Sequence, residues 1–266
     1  MQYNKKKRVL ITGETGYIAR NLRLKLLSEG FSADNLSIRA QLPAPEELEA
    51  YGVVVHCAAL VHEKRRAKKD YYKINTELTR RLALGFKRSG GGLFIFLSTM
   101  AVYGLEGSLE QKVVIDASTP LRPSGYYGKS KLLAEQALRK MESPAMGVAI
   151  IRPPIVYGSD CPGNYARLVR AARVFPVFPY VRNERSMIHI ETLCGYIMEV
   201  IKNKKRGIFH PQDAEHQCTS LLVRRLAQEE GRDIALSPAL GAITTLINSP
   251  KTRKAFGNLV YSHRLE

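Results

Sequence analysis

The run Arg8-Val9-Leu10-Ile11-Thr12-Gly13-Glu14-Thr15-Gly16-Tyr17-Ile18-Ala19 decides how the rest of the chain is read. Its first five residues form an apolar run of strand length. Tyr17 to Glu29 has helical spacing and stops at Gly30. The turn between them carries two glycines, which let the backbone approach a pyrophosphate seated on the helix N-terminus. Ala19 replaces a third glycine and is small enough for close helix–strand packing. Glycine spacing alone marks a tight turn. Placed at the first strand–helix junction of an alternating chain, it marks a dinucleotide site, with Gly13, Thr15, Gly16, Tyr17 and Ile18 as candidate contacts.

The alternation continues outward from this junction. A short strand is predicted around Leu36-Ser37-Ile38, then a helical piece opened by Pro45-Glu46-Glu47, a strand at Val53-Val54-Val55 and a helix from Tyr72 to Arg88. Leu93 to Leu97 is continuously apolar, as a strand covered on both faces should be. A helix from Tyr127 to Met141 and a strand from Gly147 to Ile151 follow. This order implies an α/β fold with right-handed crossovers and a doubly wound parallel sheet. Beyond Arg152-Pro153-Pro154, prolines and aromatics concentrate between Tyr157 and Tyr180. The expected division is a dinucleotide-binding domain over residues 1–154 and a smaller, interleaved, mainly substrate-binding lobe over 155–266. A segment near 207–212 is expected to return to the sheet.

Composition narrows the function classes. The 266 residues include 41 Lys+Arg against 24 Asp+Glu, a formal charge of +17, with 45% hydrophobic residues. That is a globular composition, neither disordered nor fibrous. No stretch reaches about 18 consecutive apolar residues, and no apolar segment precedes a cleavage site, which points away from membrane spans and secretion. The four cysteines show neither C-x-x-C nor zinc-ligand spacing, so no metal site and a reducing cytoplasm are expected. Basic clusters are dispersed over Lys5–Arg8, Lys64–Lys69, Lys202–Arg206 and Lys251–Lys254. They read as a solvated surface or as attraction to an anion, a phosphorylated metabolite or the face of an acidic membrane. No aromatic-interleaved RNA motif accompanies them, so nucleic acid is not an expected partner.

Two further patterns carry chemistry. An acid after the second strand favours NAD, whereas an arginine favours a 2′-phosphate. Here the strand is expected to end at Ile38-Arg39, with Asp34 in the preceding turn, so Arg39 leans towards NADP. Tyr127-Gly128-Lys129-Ser130-Lys131 opens a helix and puts Tyr127 and Lys131 on one face. A lysine beside a phenol, with an oxidised nicotinamide ring nearby, lowers the phenol pKa and makes it a general base or acid. Ser98-Thr99 ends the Leu93–Leu97 strand and brings a hydroxyl to the carboxyl edge of the sheet.

Taken in order, Thr12-Gly13-x-x-Gly16-x-x-Ala19, His56-Cys57-Ala58-Ala59, Ser98-Thr99-Met100-Ala101-Val102-Tyr103-Gly104, Tyr127-x-x-x-Lys131 and Arg152-Pro153-Pro154-Ile155-Val156-Tyr157-Gly158 resemble the extended short-chain dehydrogenase/reductases. The nearest branch is the nucleotide-sugar epimerase/dehydratase family. The resemblance implies a Rossmann-type sheet and a tightly bound NAD or an exchangeable NADP. It makes Thr99, Tyr127 and Lys131 the catalytic group. It puts Ala58, Ala59, Asn75, Ser98, Lys131 and Pro153 on the cofactor side, and Asn164 and Arg185 on the nucleotide diphosphate of the substrate. His62 is a candidate facing the sugar or a surface histidine, and Tyr103 is more safely read as core. The short stretch from Arg39 to Val53 implies a trimmed early strand and helix. Met100-Ala101 stands where dehydratases of the family carry Asp-Glu, so 4,6-dehydration lacks its acid.

The expected function is thus a cytoplasmic, NAD(P)-dependent nucleotide-sugar epimerase, acting at C4 of a UDP-hexose or UDP-N-acetylhexosamine for surface polysaccharide synthesis. The alternatives are an NADPH-dependent 4-keto-sugar reductase and a non-catalytic NAD(P)-binding module. A homodimer is implied by the resemblance.

Overall fold

The computed structural model of the protein describes residues 8–61 and 67–265. It resolves into two units. The first comprises the chain up to Gly104, Leu121–Pro153 and Ile190–Pro211; the second comprises Leu105–Pro120, Pro154–His189 and the chain from Gln212 onward. Residue 154 is where the chain passes into the second unit for the second time. The chain leaves the first unit once before that point and rejoins it from Ile190, ahead of the strand expected near 207.

The first unit is built on six parallel strands: β1 (Arg8–Thr12), β2 (Ser32–Leu36), β3 (Val53–His56), β4 (Gly92–Leu97), β5 (Met146–Ile151) and β6 (Gly207–Phe209). Their lateral order is β6-β5-β4-β3-β1-β2. The direction of winding reverses between β1 and β3, which opens a crevice at the carboxyl ends, where open α/β sheets bind ligands. Thr12 lies opposite His56, His56 opposite Phe96, and Phe96 opposite Ile150. The residues that follow these strands leave the sheet along one edge.

Strands β3, β4 and β5 are buried on both faces, which is why Val53-Val54-Val55, Leu93–Leu97 and Met146–Ile151 are apolar without alternation. Strand β2 is different: Ser32-Ala33-Asp34-Asn35-Leu36 lies at the sheet edge with one neighbour and needs little hydrophobicity. It therefore precedes the expected position at Leu36-Ser37-Ile38. Asp34 lies within the strand, not in the preceding turn, and pairs with Arg8 at 2.9 Å.

Among the described residues, helices α1 (Tyr17–Ser28), α2, α3 (Tyr126–Met141) and α5 (Ile190–Lys202) flank the sheet. Helix α2 is α-helical over Lys68–Tyr71 and Leu78–Arg88, with a π-helical turn over Tyr72–Glu77 between. Only the short helix Pro45–Leu48 separates Arg39 from β3, the trimmed form that the sequence implies. Leu82 and Phe86 of α2 and Ala134 and Leu138 of α3 cover Val54, Phe94, Phe96, Val148 and Ile150.

The second unit has helices α4 (Asn164–Val174), α6 (Thr219–Glu229), α7 (Pro238–Ile247) and α8 (Pro250–Phe256). Three short parallel strand pairs join Ile155–Tyr157 to Met187–His189, Val113–Ile115 to Leu259–Tyr261, and Val177–Pro179 to Ala235–Ser237. A small core of Leu109, Val181 and Phe256 lies within it. All four cysteines are free. Among the described residues no helix is long and apolar enough to cross a membrane.

Phe94 is fully buried, 6.3 Å from the Phe86 ring and 6.2 Å from the His56 ring. Phe94→Ala is expected to lower the unfolding free energy by about 3–5 kcal/mol. Urea denaturation checks this, and a loss below about 1 kcal/mol would contradict the packing described.

Candidate active site

The glycine loop leaves β1 with Gly13 at φ 94°, a left-handed conformation. A Cβ on Gly13 would lie 3.0 Å from the Ala58 nitrogen, so only glycine lets the loop after β1 pass this close to the loop after β3. Gly13 N donates to Leu36 O at 3.1 Å and Gly16 N to Gly13 O at 2.7 Å, which closes the turn. Helix α1 opens at Gly16 without a side-chain cap and without an acid in its first turn. A helix end left in that condition suits an anion, and the residues at hand (Gly13, Thr15, Gly16, Tyr17 and Ile18) fit a dinucleotide pyrophosphate. Ala58 and Ala59 are half-buried on the facing loop. Arg39 is exposed, three residues beyond β2, with no hydrogen-bond partner among the described residues.

Beneath this loop runs a buried chain of hydrogen bonds. Thr79 Oγ1 donates to the Asn75 carbonyl at 2.8 Å, so it accepts from His56 Nε2–H, also at 2.8 Å. His56 Nδ1 then accepts from Thr12 Oγ1 at 2.6 Å, and Thr12 Oγ1 accepts from Ala58 N at 3.4 Å. The chain fixes the neutral Nε2–H tautomer. Burial, aided by the charge of Lys131, pushes the His56 imidazole down from 6.5 to about 3. Asn75, turned inward by the π-helical turn, receives Leu60 N at 2.7 Å and donates to Leu60 O and to Ser130 Oγ, both at 3.0 Å. Ser130 Oγ donates in turn to Tyr127 O at 2.8 Å. The glycine loop and the first turn of α3 are thereby parts of one polar network.

Tyr127 and Lys131 lie in that helix, but their side chains do different things. Burial pushes the Tyr127 phenol up to about 12, opposed by the nearby Thr99 side chain. Lys131 Nζ donates to Leu97 O at 2.6 Å and sits 4.4 Å from the Phe96 ring centroid. Burial pulls Lys131 down to about 8, against the influence of Cys57 and Glu135. The lysine ammonium is held on the strand-end carbonyl. Thr99 also caps the short 3₁₀ turn Met100–Tyr103 by accepting from Ala101 N at 3.2 Å.

Ser98 turns inward, its hydroxyl bonded to Glu135 Oε1, so the hydroxyl at the sheet edge is that of Thr99. Glu135 forms a fork with Arg152, through Nε at 3.1 Å and Nη2 at 2.6 Å; Arg152 Nη1 reaches Tyr103 Oη at 2.9 Å, which meets His210 Nε2 at 2.8 Å. Tyr103 is core, as the safer reading had it. Pro153 is buried, and its carbonyl accepts Met100 N at 3.0 Å. Sequence reading singled out no role for Thr12, His56, Thr79, Glu135, Arg152 or His210. One signal was present: Glu135 stands four residues past Lys131, on the Tyr127–Lys131 face.

Two expected substrate residues lie in the second unit. Asn164 is exposed at the first turn of α4, with no side-chain hydrogen bond among the described residues. Arg185 Nη1 donates to Lys254 O at 2.9 Å and Gly257 O at 3.1 Å, at the end of α8. Burial pulls its guanidinium down to about 10, and no carboxylate meets it among the described residues. His62 lies outside the described residues.

Residues 9–209 match the NAD dependent epimerase/dehydratase family, and the chain belongs to it. It is 30% identical over 254 residues to a UDP-glucose 4-epimerase of Vibrio cholerae, covering 83% of this chain and 75% of that protein. It is 28% identical over 219 residues to the N-acetyl-alpha-D-glucosaminyl-diphospho-ditrans,octacis-undecaprenol 4-epimerase of Escherichia coli O157:H7, covering 75% of this chain and 64% of that protein. The fold is that of a dTDP-4-dehydrorhamnose reductase from Clostridium acetobutylicum, with TM-score 0.75, 20% identity, and 97% and 91% of the two chains covered.

The His56 chain has a consequence for stability. Because the folded-state pKa lies below that of the unfolded chain, its contribution is complete above about pH 6.5 and is lost as pH falls towards 3. In urea titrations, the stability gap between wild type and His56→Gln should be largest above pH 6.5. Below that it should close by about 1.4 kcal/mol per pH unit. A gap independent of pH would contradict a buried neutral His56.

Proposed function

We propose that the chain is an NAD(P)-dependent nucleotide-sugar epimerase that inverts C4 of a UDP-hexose or UDP-N-acetylhexosamine. The observation that carries this reading is the proximity of the Thr99 side chain to the Tyr127 phenol at the edge of the sheet that also carries the glycine loop. Both curated relatives named above are 4-epimerases. Gly13, Thr15, Gly16, Tyr17, Ile18, Ala58 and Ala59 would hold a nicotinamide dinucleotide, which would supply hydride uptake and return at the sugar carbon.

This chain's own residues handle the proton. Thr99 orients the sugar hydroxyl towards Tyr127, and Tyr127 removes its proton as the C–H bond breaks and C=O forms. When the resulting ketone presents its other face, the steps reverse and Tyr127 returns the proton. A phenol held up near 12 stays protonated near neutral pH, and its phenolate becomes available as a base only when positive charge is brought to it, so deprotonation would be coupled to filling of the dinucleotide site. Met100 and Ala101, which follow Thr99 in the 3₁₀ turn, offer no carboxylic acid to expel a neighbouring hydroxyl, so the keto sugar is retained, not dehydrated. Arg185, held by one nitrogen on main-chain carbonyls and lacking a carboxylate, suits a diphosphate. The exposed, unpartnered Arg39 favours a second reading, an NADPH-dependent 4-keto-sugar reductase using the same Tyr127 as acid.

Tyr127→Phe should lower kcat by ~10²–10⁴ while leaving dinucleotide affinity within about threefold of wild type. Steady-state assay of C4 inversion with equilibrium binding checks this, and survival of activity within about tenfold would remove Tyr127 as the proton-transfer group. The ratio of NADP to NAD affinity should fall about tenfold or more in Arg39→Ala, and an unchanged ratio would return Arg39 to the solvated surface.

A further inference from the structure

Helix α7 is turned inside out. Its large apolar side chains face solvent: Leu246 is 84% exposed, Ile247 62%, Ile243 53% and Leu240 41%. Its inward face is small. Gly241 packs so closely on the main chain of Tyr180 that a Cβ there would come within 2.0 Å of the Tyr180 carbonyl oxygen. Thr244 and Thr245 satisfy their hydroxyls on the Leu240 and Gly241 carbonyls of their own helix, at 2.7 and 2.8 Å. The helix carries no charged residue. Positions 240, 243 and 247 fall on one helical stripe, and 239, 242 and 246 on the next, so the exposed face is continuously apolar.

The same unit exposes Val174 (61%), Phe175 (51%) and Val177 (41%). Val177 lies in the strand that pairs with Ala235–Ser237, the strand leading into α7. Basic residues flank the apolar helix. From Ser237 to Phe256 the chain holds Lys251, Arg253 and Lys254 and no acid. Arg253 approaches Glu106 at 3.6 Å, whereas Lys251 and Lys254 are exposed without an ion-pair partner among the described residues.

We infer that α7 docks the protein on an anionic phospholipid surface, with Leu240, Ile243, Leu246 and Ile247 seated among the acyl-chain ends of the headgroup region and Lys251 and Lys254 on lipid phosphates. A ten-residue helix is about 15 Å long, too short to span a bilayer but suited to lying in its interface. An exposed apolar patch of this kind in a soluble fold marks a contact surface. Charge complementarity selects the occupant. A second copy of the chain would offer the same face, with no carboxylate between Ser237 and Phe256 to meet the lysines, whereas a lipid surface offers phosphates. Docking here does not depend on which sugar the catalytic unit turns over.

The test is co-sedimentation of the full chain with vesicles of phosphatidylcholine alone and of phosphatidylcholine mixed with phosphatidylglycerol. Wild type should partition on to the anionic vesicles at least tenfold more strongly than on to the neutral ones, and high salt should weaken that preference. Ile243→Glu combined with Leu246→Glu should reduce binding to anionic vesicles tenfold or more, with far-UV circular dichroism and dinucleotide affinity unchanged. Lys251→Glu combined with Lys254→Glu, which leaves the apolar face intact, should abolish the preference for anionic lipid. Equal binding of wild type and both double variants would overturn the proposal. So would absence of vesicle binding alongside a dimer that Leu246→Glu dissociates, which would make a second copy the occupant.

Discussion

A single buried imidazole ties the glycine loop of the first unit to helix α3. His56 accepts from Thr12 at the mouth of the glycine loop and donates to Thr79 on α2, and Asn75 carries the connection to Ser130 and the Tyr127 carbonyl. Each member is buried, so each must have its partners or leave a desolvated polar group behind, at a cost of about 1–3 kcal/mol. The geometry of one end is thereby coupled to the geometry of the other. The wide turn over Tyr72–Glu77 belongs to this arrangement, since it is where Asn75 turns inward; π-helical turns recur at functional sites.

A second buried network fixes the opposite flank of α3. Glu135, one turn beyond Lys131, holds Arg152 as a fork and accepts the Ser98 hydroxyl. Desolvation works against the Arg152 charge, and the bonds to Glu135 and Tyr103 outweigh it. Such a pair adds little net stability over an apolar core, but it fixes relative position, because breaking one side strands a buried charge. Its two sides come from α3 and from the residue after β5, while Ser98 comes from the end of β4. The strand end that presents Thr99 and the helix that presents Tyr127 are thus held in register from below, and Lys131 adds a third tie through the Leu97 carbonyl.

Much of this was legible in the sequence, for physical reasons. Buried parallel strands must be apolar on both faces, so β1, β3, β4 and β5 stand out, and the glycine turn marks the first crossover. Strand β2 was misplaced because an edge strand need not be hydrophobic, and Ser32–Leu36 carries only Ala33 fully inward. The return of the strand near 207 to the sheet could be read from its apolar run, whereas the excursion over Leu105–Pro120 and the point of return at Ile190 left no local signal and are set by packing. Tyr127 and Lys131 could be named from spacing, and Thr99 from its place at a strand end and from the family resemblance. The position of the lysine ammonium could not, because a four-carbon stem on a helix face reaches a phenol or a carbonyl equally well. The His56 chain was hidden for a related reason: a histidine in a valine strand shows nothing of the two threonines that meet it from elements far along the sequence.

The most direct test of the central claim is to denature the purified protein gently and identify any released dinucleotide by mass spectrometry, then to incubate the intact protein with UDP-glucose and UDP-N-acetylglucosamine. Retained NAD(H), with conversion of one substrate to its C4 epimer without added cofactor, is the result predicted. An empty protein that forms no epimer, binds NADPH tightly and reduces a 4-keto sugar would contradict the epimerase reading.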